Sequence, residues 1–382
     1  MTKKNMAIKK PDIQIEYFTD KVDNDWDSFV NEINGEIHQT SLWAEYVKFS
    51  KGWHNHRIVL KRGNDIIAGS QIKIINVRFL GKIGYIQFGP YIKEKTPEII
   101  TMMIDEIKNV ARKNRFVYLT VAPNYLDNDI VPYLEAANFK IKKSELYPRM
   151  KINATLLLDL TPPADDLLNQ MGSLRRKNIN RGLKKDIQFV EGTRNDLEIF
   201  FELSNFTAKK YGSYPEIHRL EDLYKIWDLL SPNKWVHLHL GVVEGKTSCA
   251  SLSFSIGDTF QGRFWGWNGE NSNYCITEVF QWKIILFAKE KGYKYFDFVQ
   301  LDLECAKAIS EDKIDDAIKS RRFYGPTWFK MQYGGFVVEY PKVYSYFPNK
   351  IKKIIVCDII VNLMGRVNLN GIIKFIYKAF KK

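Results

Sequence analysis

A chain of 382 residues is too long for one small domain, so two domains are expected. Its 45% hydrophobic and 26% charged residues are ordinary for a globular protein, and no apolar run approaches the roughly 20 residues that cross a bilayer. The net charge of +13 implies an acidic partner: a phosphate-bearing substrate, RNA or an anionic membrane. Cys249, Cys275, Cys305 and Cys357 lack paired spacing and read as reduced thiols, and the N-terminus lacks the apolar core of a signal peptide. A cytoplasmic protein is expected.

In chain order, residues 1–24 are polar and read as an approach segment. A short amphipathic helix is predicted from Asp25 to Ile33, and a second after Ser41, its plausible N-cap, with Trp43, Tyr46 and Val47 on one face. A hairpin follows, Arg57–Leu60 and Ile66–Ile75 about a Gly63-Asn64-Asp65 turn, then the strand Tyr85–Phe88. The spacing of Met103, Ile104, Ile107, Val110 and Ala111 predicts a helix over 97–111. Phe116–Val121 is a buried strand, 130–137 a short helix and Phe139–Ser144 a last strand. Thr155–Leu160 reads as a strand in a linker region, and Asp165-Asp166 start a helix carrying a basic face.

The second half repeats that order. Val236–Val243 and Ser248–Ile256 form a hairpin, Phe260–Trp267 a strand, Ile276–Lys291 a helix and Tyr295–Val299 a strand. Phe329-Lys330-Met-Gln-Tyr-Gly334-Gly335 then turns into the strand Phe336–Tyr340. The repeat predicts two similar α/β units with a ligand cleft between or along them.

Several chemistries find no support. His54/His56 and His237/His239 share strand faces but lack further ligands at zinc spacing. No serine lies in a nucleophile elbow, and neither GxGxxG nor GxxxxGK[ST] occurs. The stretch Gly266–Tyr274 does not spell out the phosphate loop of ordinary acetyltransferases. Arg175, Arg176, Lys177, Arg181, Lys184 and Lys185 put six cations in 13 residues, either a solvated helix face or a grip on phosphates. Residues 346–382 carry seven Lys and Arg366 against Asp358, 8 − 1 = +7, and mix them with Ile and Phe. Such a tail either docks on the body or lies on an anionic bilayer. Lys330, beside an aromatic ring and ahead of a paired-glycine turn, suits charge stabilisation in a cleft. The plainer reading of it is a solvated lysine at a strand end.

His38-Gln-Thr-Ser-Leu-Trp43-Ala-Glu, Gly89-Pro90, Thr155–Leu160, Arg175–Gly182, Tyr295-Phe-Asp297-Phe and Trp328-Phe-Lys330…Gly334-Gly335…Glu339-Tyr340 fall in an order that resembles the FemABX family over roughly residues 25–345. The resemblance implies two tandem GNAT-like (acetyltransferase-like) domains, 25–150 and 151–345. It implies transfer of an activated aminoacyl group to an amine of a peptidoglycan precursor. Phe329 and Lys330 would serve acyl transfer, and Lys48 would contact substrate phosphate if one residue is inserted. Trp43, Tyr295, Asp297, Gly334 and Gly335 would line the substrate site, with Arg175, Arg176 and Arg181 holding phosphates. The donor would be aminoacyl-tRNA or acyl-CoA, with no bound cofactor and no metal. Ala122 stands where the family can carry an acid, so Asp297 or Asp302 would have to substitute as base. A same-fold alternative is acyl-CoA-dependent N-acylation of an amino sugar in surface polysaccharide. Another is a non-catalytic RNA- or membrane-binding module. Residues 346–382 would hold the protein on the cytoplasmic membrane face.

Overall fold

The computed structural model describes residues 13–77, 81–141, 153–212, 215 and 217–349. The chain forms two units, one of Met1–Phe29, His38–Leu146 and Pro341–Lys382, the other of Val30–Ile37 and Tyr147–Tyr340.

In the first unit the sheet order is Ile13–Thr19, His54–Arg62, Asp65–Val77, Gly81–Gln87, Tyr118–Ala122, Tyr344–Tyr346, Lys140–Ile141, with Tyr91–Ile92 alongside Asp65–Val77. Helix Pro97–Lys113 joins the parallel strands Gly81–Gln87 and Tyr118–Ala122. Its stripe of Ile99, Ile100, Met103, Ile104, Ile107, Val110 and Ala111 is buried, Thr96 caps its first turn and Pro97 opens it. The His38-Gln-Thr-Ser motif locks this unit. The Gln39 side chain donates to the Gln71 and Gln87 carbonyls, and buried Asp27 accepts from Ser41 and the Leu42 amide. Burial raises the Asp27 carboxyl to about 6.

In the second unit the order is Phe336–Glu339, Ala154–Asp159, Tyr295–Asp297, Thr259–Trp267, Lys246–Ile256, Val236–Val243, Gln188–Glu191. Helix Ile276–Glu290 is again the crossover between parallel strands, burying Ile276, Val279, Phe280, Ile284 and Phe287. The repeat is therefore one of topology. In both sheets the place beyond the parallel pair is filled out of chain order: by Tyr344–Tyr346 in the first and by Ala154–Asp159 in the second, each antiparallel to both neighbours.

Four expectations change. The polar N-terminal segment contains the strand Ile13–Thr19, paired along its length with His56–Arg62; its alternation is that of an edge strand. The boundaries 25–150 and 151–345 fail at two places. Asn31, Asn34 and Glu36 bond Gly257, Asp258 and Gln261 of the second unit, and Tyr344–Tyr346 belongs to the first sheet. Thr40 rather than Ser41 caps the second helix, because its hydroxyl reaches the Trp43 amide. The basic helix is two helices, Ala164–Asn169 and Ser173–Gly182, broken at Gly172, whose amide donates to the Gln332 carbonyl. Residues 197–210 and 220–230 are helices that the sequence reading passed over. Most of 346–382, the membrane-tail expectation, lies outside the described residues, and no described helix is long and apolar enough to cross a membrane.

Candidate active site

The second unit's parallel pair is short. Thr259, Phe260 and Gln261 pair with Tyr295, Phe296 and Asp297, and there the pairing ends. On its other side the strand Thr259–Trp267 carries an extra residue at the same point, since Gln261 opposes Phe254 while Phe264 opposes Leu252. Beyond Asp297 the chain bends through Val299 and Gln300, both left-handed at φ 46° and 50°. A β-branched residue there is a true outlier, which only surrounding structure can maintain. The Asp297 carboxylate does so: it accepts the Val299 amide at 2.7 Å and the Thr155 hydroxyl. Leu301 resumes pairing through its amide to the Ala154 carbonyl.

The bend turns two carbonyls toward Lys330. Its ammonium donates to Val299 O at 2.7 Å and Gln300 O at 3.1 Å. Lys330 lies in the last turn of helix Tyr324–Met331, so it is neither at a strand end nor simply solvated. Thr327 anchors that helix by accepting the Asp302 amide. The Asp302 carboxylate is buried and gripped by both arms of Arg321, which engages it structurally rather than as a base. Gly334 and Gly335 then take φ 79° and 91°. A Cβ on Gly335 would collide with the Leu157 carbonyl, so the sharp, close-packed turn requires glycine.

Phe329 and Tyr333, four residues apart, both pack on Arg175: its guanidinium is 4.3 Å and 4.6 Å from the two ring centres, which themselves meet edge-on at 5.4 Å. Glu278, in the first turn of the crossover helix, pairs with Arg175 at 3.4 Å. Arg175 is 4% exposed, packed on two rings and paired with Glu278, which is no arrangement for gripping a phosphate. Asp297 is likewise engaged in holding the bend, through its Oδ1. Trp43 is buried in the first unit, packed against His38 and Tyr46.

Arg176 donates to the Asn169 carbonyl, and Arg181, exposed at the same helix's far end, donates to Cys275 Sγ. Tyr295 is half-buried in the short parallel strand. Lys48 is in the first unit, 3.8 Å from Asp20, beside a small polar pocket also lined by Lys21, Glu45, Asn55 and Arg57. The structure thus gathers Lys330, Phe329, Asp297, Arg175, Gly334 and Gly335 in the second unit, and leaves Lys48 and Trp43 in the first. Glu278 and Tyr333 escaped the sequence reading, although the Phe329/Tyr333 spacing was a visible signal. Among the described residues no group of three His, Cys, Asp or Glu could hold a metal.

Two mixed sheets, each with a helical crossover into a parallel strand, and an opened pair in the second define a twin acetyltransferase-like protein. Within that class the chain belongs to the FemAB family, whose sequence pattern matches residues 22–215, just over half of it. It is 26% identical over 192 residues to the aminoacyltransferase FemA of Staphylococcus aureus (strain bovine RF122 / ET3-1), covering 45% of this chain and 46% of that one. The chain spans about half the length of the curated relatives it matches. Its fold is similar to the crystal structure of FemX, with a TM-score of 0.75 at 18% identity over 87% of this chain and 97% of that one. A conserved Bacteroides thetaiotaomicron protein of unknown function aligns at a TM-score of 0.54 and 12% identity, over 87% and 99%.

Proposed function

We propose that the protein transfers an aminoacyl group from aminoacyl-tRNA to an amine of a peptidoglycan precursor, on the cytoplasmic side of the membrane. The observation that carries this reading is the Lys330 ammonium, fixed by the Val299 and Gln300 carbonyls where the parallel strands part. An acyl chain entering such a gap would place its ester carbonyl beside a cation whose direction is already set. The acceptor amine attacks the ester carbon and a C–N bond forms. The tetrahedral oxyanion collapses with breakage of the C–O bond to the ribose, and the amine's proton ends on that ribose oxygen. Lys330 stabilises the charge that develops on oxygen, and preorganisation makes this more effective than a mobile lysine would be. Phosphate contacts fall to Lys48, Arg176 and Arg181.

The test is purified protein given aminoacyl-tRNA with a muropeptide precursor, or separately acetyl-CoA with an amino sugar. Product is expected in the first mixture only. Lys330→Ala should lower kcat more than about tenfold with little change in melting temperature. Product from acetyl-CoA alone, or full turnover by Lys330→Ala, would overturn the reading.

A further inference from the structure

We infer that Arg175 is a positioning residue for Lys330, acting through Phe329; this rests on the reading of Lys330 above. Three observations converge on it. The guanidinium packs on both the Phe329 and Tyr333 rings, at 4.3 Å and 4.6 Å, so it staples two side chains one turn apart at the helix's C-terminal end. It also donates to the Phe329 carbonyl at 3.4 Å, which fixes the backbone immediately before Lys330. On its other side Glu278 holds it at 3.4 Å, and Glu278 belongs to the crossover helix of the unit's core. Tyr333 completes the link by donating its hydroxyl to the Glu278 carbonyl at 3.4 Å.

Helix Tyr324–Met331 is only eight residues long, too short to hold its own orientation. A small rotation of it would carry the Lys330 ammonium away from Val299 O and Gln300 O. Two clamps therefore set that ammonium. The Asp297-supported bend fixes its acceptors, and the Arg175 staple fixes the backbone it grows from. Lysine cannot replace arginine here, because a point charge on a flexible stem cannot meet the two rings, the Phe329 carbonyl and Glu278 with one rigid planar group. Leu174, next to Arg175, is 56% exposed, so the same helix turns Arg175 inward and its neighbour to solvent.

The experiment is a double-mutant cycle on the full chain with Arg175→Met, Arg175→Lys, Lys330→Ala and the Arg175→Met/Lys330→Ala pair. Arg175→Met should lower kcat about tenfold with KM for both substrates unchanged, and should add nothing in the Lys330→Ala background. Arg175→Lys should fail to restore kcat, and it takes the place of Arg175→Met if that variant does not fold. A second readout needs no turnover. The Lys330 amine should react several-fold faster with a water-soluble acylating reagent in the Arg175 variants, measured by peptide mass spectrometry. Additive losses in kcat, or a raised KM at intact kcat, would overturn the inference, as would unchanged labelling. If Lys330→Ala keeps full turnover, the catalytic reading fails by itself, and faster labelling still upholds the staple.

Discussion

The two units follow one order of elements and differ in how far their central parallel strands stay together. In the first, five residues of Ile83–Gln87 pair with Tyr118–Ala122 up to the last residue of both strands. In the second, pairing stops after Gln261 and Asp297, although the strand through Gln261 continues to Trp267. The closed pair has buried side chains packed over it: Gly84 has no room for a methyl group beside Phe116 and Leu119. The parted pair ends instead in a strained bend whose carbonyls hold an ammonium. The same plan thus gives one unit whose polar network closes the fold over the pair and one in which the pair parts and its carbonyls engage Lys330. Burial of Asp27 and Gln39 under capping hydrogen bonds, against Lys330 held at a bend, is that difference in side chains.

The strongest way to break the comparison is to attack the out-of-order strand. Ser345 pairs with Thr120 and Lys140 in the middle of the first sheet, so Ser345→Pro removes a ladder donor where proline is not tolerated. Amide hydrogen exchange should show loss of protection across Tyr118–Ala122 and Lys140–Ile141 while Thr259–Trp267 stays protected. Uniform loss in both sheets would mean that the units do not unfold separately.

A smaller effect compares glycines at the parallel pairs. Gly84→Ala should destabilise by about 1–3 kcal/mol through overpacking in the closed pair. Gly262→Ala, just past the last paired residue and 2.9 Å from a single ring edge of Phe296, should cost less. Urea denaturation of the two variants checks the order.

Smallest is a divergence with pH. His237 and His239 are buried in the second unit among Phe260 and Phe287, and desolvation lowers them to about 4 and about 3. Their unfolded forms take up a proton below about 6.5, so stability is complete above that pH and falls as pH drops toward 4, by up to about 1.4 kcal/mol per pH unit for each ring. Asp27 has the opposite sign. Its folded carboxyl is raised to about 6, so between about 6 and 4 the folded first unit binds the proton more tightly than the unfolded chain does, and gains. Exchange rates measured from pH 7 to 4.5 should rise in strand Val236–Val243 relative to Gly81–Gln87. Parallel behaviour of the two strands would contradict the assignment.

Local pattern made the repeat legible. Helical spacing marked 97–111 and 276–291 because a helix that buries one face must repeat its apolar residues every three or four positions, and the alternating hairpins follow from the twofold period of strands. Phe329-Lys330 and the Gly334-Gly335 turn stood out for similar reasons, since left-handed backbone and a lone cation next to an aromatic ring are properties of the residues themselves. The Ile13–Thr19 alternation was as visible, but its polar and charged residues let an edge strand pass as an approach segment.

Other features were settled only by the folded chain. Thr155–Leu160 read as a strand but not as the one between Tyr295–Asp297 and Phe336–Glu339, and Tyr344–Tyr346, which the sequence reading passed over, completes the first sheet. Strand propensity fixes conformation, whereas the partner depends on which edge is open when the chain returns. Arg175 read as one member of a basic run, solvated or gripping phosphate, because sequence registers charge and not the two rings and the carboxylate that pack against it. Nor could any local rule have placed a valine in left-handed backbone. That conformation exists because Asp297, two residues back, is held by Thr155, and because Lys330 binds the bend's carbonyls, both brought from distant parts of the chain.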